Sequence, residues 1–214
     1  VYTGGAMGER TKVTETGGRI VAYTYDALYR LTKETVTQNN VATTTEYTYD
    51  AVSNRLTKKT GGVTTAYTYN ALNQLTGEGN ITYTYDHAGN RTGKADGSET
   101  TVYTYDGSNR LIRATVQKGQ NVSIEAYGYD WQGNRTRKTT EGTTSNYLVM
   151  TGNWVSHVVA ETDSMGALLV SYTRGGDQLI SQKRGGIKSF YLYDGHGSVR
   201  MLANGSGTVT DTYT

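Results

Sequence analysis

Asp194, His196 and Ser198 alternate along one short stretch and supply the residue types of a hydrolase triad. A triad is defined by geometry, and the intervening Gly195 and Gly197 read as a turn. His87 and His157 complete the histidines, and a three-histidine metal site would need them to converge with His196 across most of the chain. Recurrent Asp-x-x-Gly-Asn segments carry carboxylates, but they lack the closely spaced oxygen ligands and bidentate Glu of a calcium loop. Arg174-Gly175-Gly176 and Arg184-Gly185-Gly186 put cations beside permissive backbone, yet no helix follows to add its dipole, so hairpin tips are expected there. No catalytic residue, metal site or cofactor is expected from these groups. The side chains that recur with a fixed spacing are Tyr and Asp. A row of Tyr facing solvent would suit sugars or another subunit, whereas a row facing neighbouring strands is the ladder that holds a sheet together. The ladder is the expected use, because the chain is poor in aliphatic residues.

The element that must position them is Tyr83-Thr84-Tyr85-Asp86-His87-Ala88-Gly89-Asn90-Arg91, which occurs six times with small changes. Its Tyr-x-Tyr-Asp signature is Tyr23, Tyr25, Asp26; Tyr47, Tyr49, Asp50; Tyr67, Tyr69, Asn70; Tyr83, Tyr85, Asp86; Tyr103, Tyr105, Asp106; and Tyr127, Tyr129, Asp130. A seventh, altered copy holds Tyr191, Tyr193 and Asp194. Residues at i and i+2 share one face of a strand, whereas a helix would separate them by about 200°. Successive copies lie 24, 20, 16, 20 and 24 residues apart, and a further 20 reaches Tyr147. Every interval is a multiple of four. Lengthening both strands of a hairpin by two residues adds four and keeps each side chain on its face, so a meander of antiparallel hairpins of varying reach is expected. Any other increment needs a bulge or a flipped face.

Asp86-His87-Ala88-Gly89 and Asp130-Trp131-Gln132-Gly133 have the chemistry of a type I turn. Asn39-Asn40, Gly61-Gly62, Gly79-Asn80, Asp96-Gly97, Gly119-Gln120-Asn121 and Gly142 signal tight hairpins at the opposite strand ends. Counted to the Asn-Arg pair, the Asp turns alternate between a shorter form after Asp26, Asn70 and Asp106 and one a residue longer after Asp50, Asp86 and Asp130, which suggests a two-repeat unit. Arg55, Arg91, Arg110 and Arg135 follow an Asp by four or five residues, so structural Asp–Arg contacts are expected.

Composition agrees with a large β unit. The 214 residues contain no Pro, where ordinary usage predicts about ten, as a sheet interior that needs every backbone donor requires. They contain no Cys, so neither disulfides nor thiolate metal sites are expected. There are 19 Tyr and 37 Thr, which point to cross-strand Tyr and Thr ladders contributing roughly 0.2–1 kcal/mol per pair. A net charge of +2 with both signs interspersed argues against nucleic acid as a partner. No stretch approaches the roughly 18 apolar residues of a membrane helix. Val1 is not an initiator residue, so a longer parent chain is expected.

Three parts are expected: residues 1–22 as a degenerate first repeat, 23–146 as the regular array and 147–214 as a more apolar C-terminal segment. That segment, with Trp154, Val158-Val159-Ala160 and Leu168-Leu169-Val170, should be more deeply packed. The array resembles the YD repeats of the Rhs family, which includes bacterial polymorphic toxins, shell-forming components of insecticidal toxin complexes and animal teneurins. Val158 to Asp163, Tyr172 to Asp177 and Tyr191 to Arg200 resemble the Rhs-associated core of its bacterial members. The resemblance implies a spiral sheet enclosing a hollow shell, in many members with a toxin domain inside. It also implies an Asp-Pro self-cleavage stretch after the core, and these residues contain no Pro.

The expectation is therefore an all-β fold, tandem YD-repeat antiparallel hairpins in one long curved or spiralling sheet. Its expected role is a structural scaffold, part of a secreted or cell-surface bacterial shell that encapsulates a cargo such as a toxin and catalyses nothing. The alternative is a self-assembling filament or a cell-surface adhesion module. Expected partners are further repeats of the same chain or identical subunits joined by edge pairing, an encapsulated toxin domain, and glycans on exposed Tyr rows.

Overall fold

The computed structural model describes residues 1–15, 17–152 and 155–213, which form two compact units, Val1–Thr100 and Thr101–Thr214. The protein is all-β, and the described residues contain no helix. In the first unit the strands are β1 (Tyr2–Gly4), β2 (Arg10–Thr14), β3 (Ile20–Tyr25), β4 (Leu31–Gln38), β5 (Val41–Tyr49), β6 (Arg55–Thr60), β7 (Val63–Tyr69), β8 (Leu75–Glu78), β9 (Ile81–Tyr85) and β10 (Arg91–Ala95). They pair antiparallel in sequence order. Strand β11 (Glu99–Tyr105) spans the boundary. The second unit continues with β12 (Leu111–Lys118), β13 (Asn121–Tyr129), β14 (Arg135–Thr140), β15 (Thr143–Thr151), β16 (Ser156–Thr162), β17 (Leu168–Gly175), β18 (Gln178–Arg184), β19 (Ile187–Tyr193), β20 (Val199–Ala203) and β21 (Val209–Thr212). From β12 to β21 these also pair antiparallel in order.

Hairpin length explains the repeat arithmetic. Most tight ends are two-residue turns, with Gln38 opposite Val41, Thr60 opposite Val63, Glu78 opposite Ile81 and Lys118 opposite Asn121, whereas Asp96-Gly97-Ser98 joins β10 to β11 with three residues. Asn39 and Asn40 have φ of 50° and 61°, Gly61 and Gly62 of 57° and 85°, the left-handed pair that matches strand twist in a type I′ turn. Hairpin β8–β9 is the shortest of the array and follows the 16-residue interval between Tyr67 and Tyr83.

The Asp ends carry a feature that spacing alone does not reveal. Thr24 pairs Lys33 while Tyr25 pairs Leu31, so Thr32 stands outside the ladder as a β-bulge. The same shift leaves out Leu56, Thr76, Thr92 and Thr136. Because these five copies have their bulge at the same place, six residues past the Asp or Asn, the intervals remain multiples of four.

The alternation in turn length is corrected by the structure. Every turn that follows a Tyr-x-Tyr motif has the same span: the N–H of Asp26 donates to Arg30 O, that of Asp50 to Asn54 O and that of Asp86 to Asn90 O. What alternates is the residue on the fourth position, Arg30, Gln74 and Arg110 in one class and Asn54, Asn90 and Asn134 in the other. In the second class the Arg moves one place on, to Arg55, Arg91 and Arg135.

The third position of each turn is left-handed, with φ of 86° at Gly89 and 87° at Gly133, but Tyr29 adopts 58°. A bulky residue there costs about 1–2 kcal/mol. Tyr29→Gly is therefore expected to raise stability by about 1 kcal/mol, read as a higher urea midpoint.

Few side chains are fully enclosed. Val13, Val21, Tyr67, Ala114, Val170, Leu202 and Ala203 are the buried apolar residues among those described. In the C-terminal segment Val170 is fully buried and Leu202 nearly so, while Leu168 and Leu169 are exposed, so the expected deeper packing holds at some positions only. Leu169 stands outside the β16–β17 ladder as a bulge, which puts Leu168 and Val170 on opposite faces. A strand that buries one face must present the other. Trp154 lies outside the described residues.

Candidate functional site

The face that gathers polar chemistry is the one carrying the tyrosines. Tyr23, Tyr25, Tyr47, Tyr49, Tyr67, Tyr69, Tyr83, Tyr85, Tyr103, Tyr105, Tyr127, Tyr129, Tyr191 and Tyr193 are half-buried or buried, whereas Thr24, Thr48, Thr68, Thr84 and Thr104 between them are exposed. On that exposed face the hydroxyls of Thr24 and Thr32 lie 3.3 Å apart, Thr48 and Thr57 2.6 Å, Thr68 and Thr76 3.1 Å and Thr84 and Thr92 3.0 Å. Threonine thus forms the expected ladder, in three of these pairs with the bulged residue itself.

Tyrosine does not form a ring-on-ring ladder. Rings of successive copies lie two strands apart, about 10 Å, which is too far for stacking. The strand between them contributes an arginine. The Arg55 guanidinium carbon lies 5.9 Å from the Tyr47 ring centroid and 4.2 Å from that of Tyr67. Arg135 lies 5.5 and 5.7 Å from Tyr127 and Tyr147, and Arg91 lies 5.4 Å from Tyr83. These are cation–π contacts, each contributing roughly 0.5–2 kcal/mol. The expected Asp–Arg pairing occurs in the other class of turn: Arg30 Nε donates to Asp26 Oδ2 at 2.7 Å and Arg110 Nε to Asp106 Oδ2 at 2.7 Å. The same two arginines reach one repeat further, Arg30 Nη1 to Asp50 O at 2.8 Å and Arg110 Nη1 to Asp130 O at 2.9 Å. Arg30 and Arg110 also lie over rings, 4.9 Å from Tyr49 and 5.1 Å from Tyr129. The two-repeat alternation is therefore between an arginine that hydrogen-bonds laterally and covers the second tyrosine of the next motif, and one set between first tyrosines, as Arg55 is between Tyr47 and Tyr67.

The second tyrosine of each motif has a separate task. Tyr25 Oη donates to Arg10 O at 2.7 Å, Tyr49 Oη to Leu31 O at 2.6 Å, Tyr69 Oη to Arg55 O at 3.0 Å and Tyr85 Oη to Leu75 O at 2.7 Å. In the second unit Tyr129 Oη donates to Leu111 O at 2.8 Å and Tyr193 Oη to Leu179 O at 2.7 Å. Arg10, Leu31, Arg55, Leu75 and Leu179 each immediately precede a bulged residue. The bulge interrupts the ladder, and a phenol from the neighbouring repeat satisfies the carbonyl beside it. Tyr49→Phe and Tyr129→Phe are each expected to cost about 1 kcal/mol, with little change in secondary structure by circular dichroism. The acceptors were illegible beforehand, because a main-chain carbonyl has no sequence signature; the bulge residue at a fixed distance past Asp was the available signal.

Two first tyrosines, and Tyr172 outside the motif, find carboxylates. Tyr83 Oη donates to Glu78 Oε2 at 3.0 Å, Tyr127 Oη to Glu125 and Tyr172 Oη to Glu161. Desolvation, followed by the Glu125 hydrogen bond and charge, pushes Tyr127 up to about 12, and the same causes push Tyr172 up. Glu125 is held down by Lys138 and by Tyr127 itself. Glu125→Gln is expected to bring the Tyr127 titration down toward 10, followed through its ring-carbon NMR signal.

At the turns each aspartate acts as a backbone staple. Asp130 Oδ1 accepts from Gln132 N at 3.0 Å and Asn134 N at 2.9 Å, and Oδ2 accepts from Asn134 Nδ2 at 2.9 Å. Asp194 Oδ1 accepts from the backbone N–H of His196 at 2.9 Å and of Ser198 at 3.0 Å, so these residues make a turn and no side-chain triad. Asp163 and Asn204 repeat the pattern, extending the series beyond the motifs legible as Tyr-x-Tyr-Asp. His157 Nε2 lies 2.9 Å from Asp177 Oδ1. Among the described residues no group of three or more His, Cys, Asp or Glu side chains is placed to hold a metal ion. Nor is any helix among them long and apolar enough to cross a membrane.

A sheet of serial hairpins, stapled at each Asp turn and sutured by Tyr and Arg, defines a tyrosine–aspartate repeat scaffold. The Teneurin YD-shell family model matches residues 8–214, and the chain belongs to that family. The chain is 36% identical over 210 residues to tRNA3(Ser)-specific nuclease WapA of Bacillus spizizenii, covering 98% of this chain and 8% of that protein. It is 36% identical over 194 residues to tRNA nuclease WapA of Bacillus subtilis, covering 88% of this chain and again 8% of the relative. The crystal structure of TcdB2-TccC3 without its hypervariable C-terminal region shares the fold, with a TM-score of 0.62 at 18% identity over 95% of this chain and 13% of that one. The chain thus has the fold of a shell-like scaffold and spans 8% of the length of the curated relatives it matches.

These relatives correct the expectation that the protein is not an enzyme, because they are named as nucleases. They also remove the ground for excluding nucleic acid, which rested on the net charge of this segment alone. Repeats that build a scaffold carry no signature of an activity named for a protein more than ten times as long.

Proposed function

We propose that this chain is a stretch of the wall of a longer, secreted bacterial YD-shell protein that encloses an effector, and that the parent protein is a nuclease acting on tRNA. The observation that carries this reading is 36% identity across 98% of the chain to a tRNA-specific nuclease. The wall role draws support from the fold shared with TcdB2-TccC3 and from lateral bonds such as Tyr49 to Leu31. Residues 1–22 act as the lead-in, 23–146 as the repeating wall and 147–214 as the core-like part.

The test uses the full-length parent protein. Purified particles are imaged by negative-stain electron microscopy and incubated with total tRNA before and after mild opening in denaturant. Hollow particles whose tRNA cleavage rises on opening are expected. Filaments of open-ended mass would favour edge-to-edge assembly instead, and an intact protein that never cleaves tRNA would overturn the nuclease assignment.

A further inference from the structure

The tyrosine face of the second unit holds a cavity of about 390 Å³ between β14 and β19, walled by Arg135, Tyr147, Glu161, Tyr172, Arg174 and Tyr191. Val158 and Leu179 add an apolar patch, and an adjoining hollow of about 190 Å³ shares Arg135, Tyr147 and Val158. The polar groups here are not all matched. Glu161 is engaged by Tyr172 and has Arg184 Nη2 3.8 Å away, and Tyr191 Oη donates to Gln182 Oε1 at 2.8 Å. Arg135 lies against two rings. Arg174 donates through Nη1 to Asp177 O at 2.9 Å, but its Nε is enclosed without a hydrogen-bond partner. A buried donor left unmatched is costly, and a guanidinium presents its N–H groups in a fork suited to a carboxylate.

We propose that this cavity is a docking site for a carboxylate flanked by an aromatic or branched apolar side chain, contributed by a segment of the same parent protein outside these residues. The two guanidiniums exceed the one carboxylate, which is already occupied, so the site is complementary to an added negative charge. The apolar patch of Val158 and Leu179 and the faces of Tyr147 and Tyr172 receive the neighbouring side chain. A segment of the same protein is the occupant because the matched relatives extend far beyond the 8% that this chain covers. This last point rests on the wall reading above.

The chemistry is tested on the chain itself with N-acetyl-L-phenylalanine, which joins one ring to one carboxylate, against N-acetyl-L-phenylalaninamide, which lacks the charge. Binding is read from the ring signals of isotopically labelled tyrosine. Saturable shifts at Tyr147, Tyr172 and Tyr191 are expected, with the amide binding at least tenfold more weakly. Arg174→Gln should erase that difference, and Arg174→Lys, which keeps the charge but not the forked donor, should retain only part of it; circular dichroism verifies that both variants fold. Equal binding of acid and amide, or no saturable shift, overturns the site. The occupant is tested by placing a photo-crosslinking phenylalanine analogue at Leu179 in the full-length parent. A cross-link to an Asp- or Glu-bearing segment of the same chain is expected, and no such cross-link overturns that assignment. A parent that lacks nuclease activity yet gives the cross-link would sink the proposed function and leave the site standing.

Discussion

Tyr67→Ala is expected to lower the unfolding free energy by about 3 kcal/mol, the lower end of the range for truncating a buried aromatic. Tyr67 is the most enclosed tyrosine, with 5% of its surface exposed, and its ring lies only 4.2 Å from the Arg55 guanidinium. Truncation removes the ring and also bares a guanidinium whose Nε is enclosed without a partner, so the loss exceeds that of apolar contact alone. The lower end is chosen because the face is open enough for water to reach the space left behind. Tyr67→Phe keeps the ring and should cost less than about 1 kcal/mol. Urea denaturation followed by circular dichroism measures both, and equal losses for the two variants would show that the hydroxyl, not the Arg–ring contact, dominates.

Acid is expected to unfold the chain cooperatively below about pH 4. Asp26 and Asp106 are held below their ordinary value of 3.8 mainly by the backbone N–H of Arg30 and Arg110. Asp86 and Asp130 are held down mainly by the side chains of Asn90 and Asn134, and Asp96 and Asp194 by backbone N–H groups. At Asp50 desolvation opposes the shift, but the hydrogen bonds from Asn54 and Val52 outweigh it. Each of these groups has a lower pKa folded than unfolded. Its stabilising contribution is therefore fully present above the unfolded value and is lost as pH falls through the folded one. Seven such turns act in the same direction, so a small shift at each sums to a steep loss. Stability measured from pH 7 to pH 2 should be flat down to about 5 and then fall, with several protons taken up on unfolding. Changing Asp130→Asn should make the fall shallower, and an unchanged slope across such variants would place the acid sensitivity elsewhere.

Much of this architecture is written locally. Tyr at i and i+2 and hairpin intervals in multiples of four determine strand, face and register, because the period of a strand is two and a change of four residues returns every side chain to its side. Asp followed by two backbone donors determines its turn, since the contact closes within five residues, as at Asp86 to Asn90. Membership of the YD-repeat family was legible for the same reason.

The use of the tyrosines was not. That Tyr49 reaches Leu31, or that Arg55 sits between Tyr47 and Tyr67, depends on which strands lie side by side and on a bulge that frees a carbonyl. The apparent difference in turn length was a difference in which residue carries the arginine, and only the common hydrogen bond from Asp N to the fourth residue separates the two. The cavity beside Arg174 likewise draws its walls from strands β14 to β19. Period and turn chemistry are properties of consecutive residues, whereas a matched or unmatched donor is a property of neighbours that only the folded sheet brings together.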